Sequence, residues 1–462
     1  MHESLFIEFV EKFFKPIVGK ITEKFNGKKE EETLLHKTML TEEYSPDLTW
    51  GSTELNHSVV AADVVALDSS LPLKKRDAIS NASGTIAKIG MKFRKGEKQI
   101  TNINIMRARG TDEATIASKI FDDVPKAIKG VDIRNEILFE QALSTGQVLV
   151  TDASDDNSTN DGTGIRVDFG YKDEHKFKTT VAPWGKSVAN PIDDLRQMFD
   201  KAAEDGDVIS EVYVTKKYFN LMRKSAQAKL LTATFENQVV TKIALLPVPS
   251  QQDFLAALAD EFDATFHIVK GTFKVENPDG STTAVRPWVE ANIIGVPSTV
   301  VGRLVYGTLA EETNPVANVN YEKSGSYILI SKYSKNDPLE EFTSSQALCL
   351  PVIDGAESIY MLTADEVEIG ALVITGEGLV DDELSVPKTA STNVLEVAYK
   401  GDADLLSVES TETWATAKLS DGKLTIKVAA NSAASAPARE ATVTVTDGYN
   451  TVEITVAQAA NS

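Results

Sequence analysis

Ala87-Lys88-Ile89-Gly90-Met91-Lys92-Phe93-Arg94-Lys95 is the stretch on which the reading of the fold turns. Its side chains alternate. Ala87, Ile89, Met91 and Phe93 fall on one face, with Lys88, Lys92 and Arg94 on the other. A period of two is the mark of a strand with one buried face. The stretch sits in a basic segment, 68–103, where eight basic residues, including Lys74, Lys75 and Arg76, stand against three acidic ones. With a turn signal at Asn81-Ala82-Ser83-Gly84, the whole segment reads as a long hairpin. A two-stranded ribbon cannot bury its own apolar face. The chain of 462 residues carries a net charge of −21, so a basic hairpin is complementary to another copy of the same acidic body. Packing on its own domain is the alternative. Lys74, Lys75, Arg76, Lys88, Ile89, Met91, Lys92, Phe93, Arg94 and Lys95 are therefore the candidate inter-subunit contacts.

Upstream, residues 1–67 read as an N-terminal helix and arm. Phe6, Phe9, Val10, Phe13, Ile17, Ile21 and Phe25 recur at helical spacing over 3–25, and Pro16 is expected to kink or restart the helix. Such a stripe predicts docking on its own or a neighbouring subunit. Downstream, residues 104–378 form the main body. A long helix is expected over 112–145, bent at Pro125 and Gly130 and stopped by Gly146. Asn190-Pro191 opens another, with Asp193 and Asp194 in its first turn and Gly206 at its end. A strand over 208–214 and helices over 216–225 and 251–262 follow, then strands to about residue 375. Helices and antiparallel strands without βαβ alternation mean an α+β class. From 379 to 462 short alternating strands take over, at 393–400, 423–429, 439–446 and 451–457, with turns at Asp421-Gly422 and Asp447-Gly448. This is the texture of a small all-β sandwich.

The composition excludes several functions. An acidic chain lacks the clustered cations that grip nucleic acid. One cysteine, Cys349, allows no intrachain disulfide, and its apolar setting predicts a buried thiol. No apolar run reaches the roughly eighteen residues of a membrane span, and the N-terminus lacks the pattern of a signal peptide. Gly185-Lys186-Ser187 lacks the leading glycine of a phosphate loop, since Thr180 stands there. Asn157, Thr159, Asp161, Gly162 and Asp168 match a calcium loop only loosely. The five histidines have no metal-ligand spacing. Neither catalysis nor a cofactor nor a metal is expected.

The order of parts resembles the lambda-type major capsid proteins of tailed phages, which have the Hong Kong 97-like capsid fold. The basic hairpin matches that family's extended loop, and 112–145 its spine helix. Gly164-Ile165-Arg166-Val167-Asp168-Phe169-Gly170, Pro183-Trp184, Asn190-Pro191-Ile192-Asp193-Asp194-Leu195 and Leu348-Cys349-Leu350-Pro351-Val352-Ile353 match its core, with peripheral and axial domains. The C-terminal segment resembles BACON-type immunoglobulin-like modules. It does so through Trp414, the phrase Leu424-Thr425-Ile426-Lys427-Val428-Ala429-Ala430-Asn431, Arg439-Glu440-Ala441-Thr442-Val443-Thr444-Val445 and Ile454-Thr455-Val456-Ala457-Gln458.

These resemblances imply a subunit of an icosahedral shell of pentamers and hexamers around double-stranded DNA, assembled in the bacterial cytoplasm. They also imply a portal, with scaffold or auxiliary proteins as further partners. Some members of such families crosslink subunits through Lys–Asn isopeptide bonds; Lys74 or Lys75 would be the donor, but the sequence identifies no partner residue. In the sandwich Trp414 is expected in the core, and Tyr399 and Tyr449 are the rings available to a surface glycan. The alternatives are a glycan-binding host adhesin and an encapsulin-like compartment shell.

Overall fold

The structure, a computed structural model, describes residues 2–26, 34–51, 83–150, 165–186, 188–237, 242–276, 280–367, 372–380, 382–399, 406–420, 422–446 and 451–461. It divides into two compact units. The first is Met1–His175 with Lys201–Lys216 and Asp263–Met361; the second is Lys176–Asp200 with Lys217–Phe262 and Leu362–Ser462.

The first unit is built around a 14-residue strand, Glu340–Ile353. Its second half pairs with Gly302–Gly307, which continues in parallel to Leu40–Tyr44. Its first half lies between Ile328–Lys335 on one side and the basic strand Lys88–Lys95 on the other. The register of the basic strand runs from Lys88 opposite Leu348 to Lys95 opposite Glu341. The second leg of the expected hairpin is therefore a strand of its own unit's sheet. Ser83–Thr85 pairs with Thr49–Gly51 instead, and residues Glu97–Ala108 are helical rather than part of a ribbon. The physical reason lies in what the alternation leaves open. A strand's apolar face specifies burial but not the burying surface, and this chain supplies its own. The helix that follows buries Ile100 and Ile103, three residues apart, and Gln99 reaches back to the Gly96 N–H at 3.1 Å.

Across this sheet runs the spine helix, Val124–Thr145. The single bent helix expected over 112–145 is two. Glu113–Ile120 comes first, capped by Asp112, whose carboxylate accepts from Thr115 N at 2.9 Å; the spine follows after a break at Phe121–Asp123. Pro125 restarts the helix in its first turn, where its missing N–H costs nothing. Gly130 lies inside the continuous helix. It leaves room for Met91, whose sulfur occupies the place a side chain there would need. Gly146 ends the spine at φ +74°, a left-handed cap as expected.

At the N-terminus Ile7–Phe9, a π turn Val10–Phe14 and Lys15–Asn26 follow one another. The irregularity is the π turn, and an α-helix restarts at Lys15 with Pro16 in its first turn. Phe6, Phe9, Val10, Phe14 and Val18 are buried in this unit's own core, each contributing about 1.5–3 kcal/mol before entropy. His2 adds a backbone bridge to Ser334. Glu211–Thr215 lies between Thr265–Val269, parallel to it, and Asn292–Val296, antiparallel.

In the second unit the helix opening at Pro191 has the N–H groups of Ile192 and Asp193 taken by Gln227 Oε1, at 2.9 and 3.3 Å. Helices Lys216–Lys224 and Gln251–Phe262 form as expected. A further one, Ala226–Phe235, was hidden in a sequence with no amphipathic period; Ser225 Oγ caps it at Ala228 N. The C-terminal sandwich has two sheets. One orders Val373–Thr375, Ser391–Ala398, Lys423–Val428 and Ala415–Ser420. The other orders Leu379–Val380, Glu383–Val386, Thr451–Gln458, Arg439–Thr446 and Ser407–Ser410. Leu424, Ile426 and Val428 interleave with Val443, Val445, Ile454 and Val456. The α+β class with an all-β C-terminal sandwich is thus what the chain forms.

Candidate assembly surface

The basic strand presents two faces by alternation. Lys88, Lys92 and Arg94 are exposed, while Ile89, Met91 and Phe93 are half-buried toward the spine helix. The cations are held against the sheet rather than loose. Lys92 Nζ lies 5.1 Å above the Phe342 ring, and Arg94 Nη1 pairs with Glu340 at 2.9 Å. Lys126 of the spine covers Phe93 at 5.9 Å. Lys95 departs from the expected contact set. It is buried and ion-paired with Asp122, and with Asp123 at 2.6 Å, so it ties the strand to the start of the spine and is not offered to a neighbour. Lys74, Lys75 and Arg76 lie outside the described residues.

Beneath this surface the first unit buries charge. Lys332 is fully buried, 3.4 Å from Glu341, and donates to Thr343 Oγ1 at 3.2 Å. Burial holds its ammonium below the ordinary lysine range, against the pull of Glu341. Glu341 also accepts from Leu5 N at 3.0 Å and from Ser4 Oγ, so it anchors the N-terminal segment.

The spine helix carries Asp132, Asn135, Glu136, Glu140 and Ser144 buried. Asp132 accepts from Lys37 at 2.7 Å and from Tyr327 at 3.1 Å. Glu136 accepts from the N–H groups of Leu35 and His36 and pairs with the His36 ring at 2.6 Å. Asn135 Oδ1 accepts from Cys349, whose thiol burial pushes up to about 12. Glu140 is the carboxylate of this row with an unmatched oxygen, Oε2. Gly271 packs on its carboxyl, and burial with the Glu136 charge pushes its value up to about 8. Helical periodicity hid these residues, since i, i+4 acids on a helix ordinarily read as a solvated face.

In the second unit two phrases of the sequence are joined. Asp194 is buried and accepts from Thr180 N at 2.8 Å, Thr180 Oγ1 at 2.7 Å and Trp184 Nε1 at 2.8 Å. Burial raises its carboxyl and these donors oppose the rise. Trp184 and Asp194 thus form one structural unit. In the sandwich Trp414 is half-buried rather than central. Ala415 points inward in its place, and the Arg439 guanidinium lies 4.2 Å over the indole. Tyr399 is half-buried against the sandwich core. Tyr449 and the calcium-like loop, 157–162, lie outside the described residues. Among the described residues no cluster of His, Cys, Asp and Glu is arranged to hold a metal, and no helix is long and apolar enough to cross a membrane.

The spine helix Val124–Thr145 thus lies across a sheet whose long central strand is flanked by the basic strand. The sequence pattern of the phage major capsid protein E family matches residues 18–364, and the chain belongs to that family. Residues 402–459 match BACON, described as "Putative binding domain, N-terminal". The similar solved structures include three that cover most of this chain. A phage-related protein from Bordetella bronchiseptica RB50 is 12% identical over 76% of this chain and 97% of its own, at a TM-score of 0.43. The bacteriophage PhiM1 mature capsid is 11% identical over 74% and 90%, at 0.37. The SrpI encapsulin of Synechococcus elongatus PCC 7942 is 8% identical over 72% and 89%, at 0.34. No curated protein matches the chain. The family assignment rests on the sequence pattern. It makes this a non-enzymatic structural protein of the virion capsid that assembles with its own copies.

Proposed function

We propose that the chain is the major head protein of a tailed phage, closing into an icosahedral shell around double-stranded DNA, with the C-terminal sandwich displayed on the shell. Family membership over 18–364 carries this reading. The charge distribution supports it: exposed Lys88, Lys92 and Arg94, with Lys74, Lys75 and Arg76, belong to a chain of net charge −21, which favours contact with further acidic copies. An acidic wall also lets packaged DNA move without sticking. The N-terminal arm, the 68–103 segment and the sandwich from 379 onward are the working divisions. A portal and scaffold are the expected assembly partners, in the host cytoplasm.

Electron microscopy of purified full-length protein tests the reading. Closed particles are expected, and Lys74→Glu/Lys75→Glu/Arg76→Glu/Lys88→Glu should leave soluble capsomers or monomers of unchanged fold. Particles that enclose a protein cargo and no DNA when made during infection would replace this reading with the compartment shell. For the sandwich, glycan contact through Tyr399 and Tyr449 is the second reading, favoured by the match to a binding domain. A glycan array probed with intact particles and with Tyr399→Ala/Tyr449→Ala particles tests it.

A further inference from the structure

The two outer faces of the sandwich carry opposite charge. On the sheet containing Lys423–Val428, the register sets Lys427 beside Thr392 and Thr416, Thr425 beside Val394 and Lys418, and Lys423 beside Glu396 and Ser420. Three lysines, all on this outward face, thus stand against one glutamate. Lys423 and Glu396 pair at 3.0 Å, leaving Lys418 and Lys427 on adjacent strands, one diagonal apart. Two valines on this face, Val373 and Val394, are 44% and 51% exposed. The opposite sheet sets Thr444 between Glu409 and Glu453, Thr446 between Ser407 and Thr451, and Thr455 between Glu383 and Thr442. Glu440 lies on the same face, and among the described residues that face carries no lysine or arginine.

We propose that the sandwiches of neighbouring copies pair head-to-tail, the lysine face of one on the glutamate–threonine face of the next. This rests on the shell reading above and goes beyond it. A sandwich in a chain of net charge −21 has little reason to segregate three lysines on one face, unless an acidic surface is held near it. The acidic face of an identical domain is available in every shell. The contact is heterologous, because two different faces meet, and such contacts close into rings when the rotation allows. Rings of five or six subunits provide that rotation. Val394 and Val373, on the two strands beside the lysine-bearing pair, would be covered next to the lysines; opposite charges fix register and orientation more than they add affinity.

Cysteine pairing in assembled particles tests this directly, because Cys349 is fully buried and silent. Thr425→Cys and Thr444→Cys leave every charge in place. They lie on opposite outer faces of sheets about 10 Å apart, beyond the roughly 7 Å limit for a disulfide, so any bond between them joins two chains. Electron microscopy first establishes that particles are present, which keeps failure of the shell reading separate. Mild oxidation of double-variant particles is expected to give a ladder of covalent multimers on a non-reducing gel, and each single variant only monomer. Monomer from intact double-variant particles overturns the proposal, as do dimers from either single variant, which would mean like faces meet.

Should the variants fail to assemble, carbodiimide coupling of unsubstituted particles reads the same contact. Links from Lys418 or Lys427 to Glu409, Glu440 or Glu453 support it, with Lys423–Glu396 as internal control. The control link alone overturns it. Binding of an acidic polysaccharide by particles that show no such links would assign the lysine face to that ligand instead.

Discussion

The two cores of this chain are built on different principles. The sandwich closes on branched aliphatic side chains, with Leu395, Leu424, Ile426, Val443, Val445, Ile454 and Val456 meeting between its sheets; its buried polar side chains are Asn431 and Gln458. The body around the spine helix encloses Lys95, Lys332, Glu341, Asp132, Glu136 and Glu140 among its aromatics and aliphatics. Burying ions costs several kcal/mol each unless the geometry is good, and apolar replacements are often as stable. The sandwich therefore shows what stability alone asks for. The body accepts a costlier interior, four of whose members fix a segment: Lys95 the basic strand, Glu341 residues 4–5, Glu136 residues 35–36, Asp132 Lys37.

The largest effect is expected where that network is cut. Lys332→Met leaves Glu341 buried beside Ser4 and Leu5 without its cation, and should cost about 3–5 kcal/mol. Denaturant unfolding reads the loss, and hydrogen exchange should localise it to residues 2–14 and 328–345. Adding Glu341→Gln should recover part of it, because the uncompensated charge is then gone. Equal losses in single and double variants would mean the pair contributes only packing.

Leu424→Ala is the matching cut in the sandwich. Leu424 is fully buried, and truncation there should cost about 2–5 kcal/mol through lost burial and a cavity. Exchange protection should fall in 384–458 and stay unchanged in 124–145. Loss of protection in both regions would contradict two separately built cores.

The contrast also explains what could be read in advance. Strand alternation over 423–429, 439–446 and 451–457 places these three strands to within a residue, because the sandwich interior obeys one rule, whereas the short strand Val373–Thr375 precedes the expected start at 379. In the body the same rule named Ile89, Met91 and Phe93 as a face to be buried, yet could not say against what, since partner choice depends on contacts with residues 340–348, some 250 positions away. Lys95 continues the inward parity of Ile89, Met91 and Phe93, but its charge groups it with the exposed cations in a reading of the sequence. Its fate was set by Asp122 and Asp123, which only the break after Ile120 brings into reach. Trp414 departs from the expected core position because the register makes Ala415 the inward residue, and the indole instead lies half-buried under the Arg439 guanidinium. Asp194 and Trp184 were visible as a phrase, but their hydrogen bond was not.

Glu140 sharpens the comparison through pH. Its carboxyl, pushed up to about 8, keeps its proton in the fold, whereas in the unfolded chain it ionises in the ordinary carboxyl range. The folded state therefore binds the extra proton between roughly pH 5 and pH 8, and stability contributed here falls as pH rises through that window. Glu140→Gln removes the titration. The variant should match the parent near pH 5 and exceed it at pH 8 by about 2–4 kcal/mol, since each tenfold difference in proton affinity between the folded and unfolded chain is worth about 1.4 kcal/mol. The difference should be absent from the sandwich, whose core holds no carboxyl among the described residues. Parallel pH profiles for parent and variant would show that Glu140 is solvated.

The smallest effect is expected at the sandwich rim, where the polar device is half open to water. Arg439 stacks on Trp414, donates to Gln458 Oε1 at 2.8 Å and reaches Ala429 O at 2.9 Å. Arg439→Ala should cost about 1 kcal/mol, the range of a partly exposed cation–π contact with its hydrogen bonds. Trp414 emission should shift to the red as the indole gains water. Arg439→Lys separates the contributions. An ammonium keeps the charge over the ring but cannot span Gln458 and the Ala429 carbonyl with one planar fork, so it should restore most of the emission and only part of the stability. Full recovery of both would reduce the arginine's role to charge, whereas no recovery of either would place the effect in the fork alone.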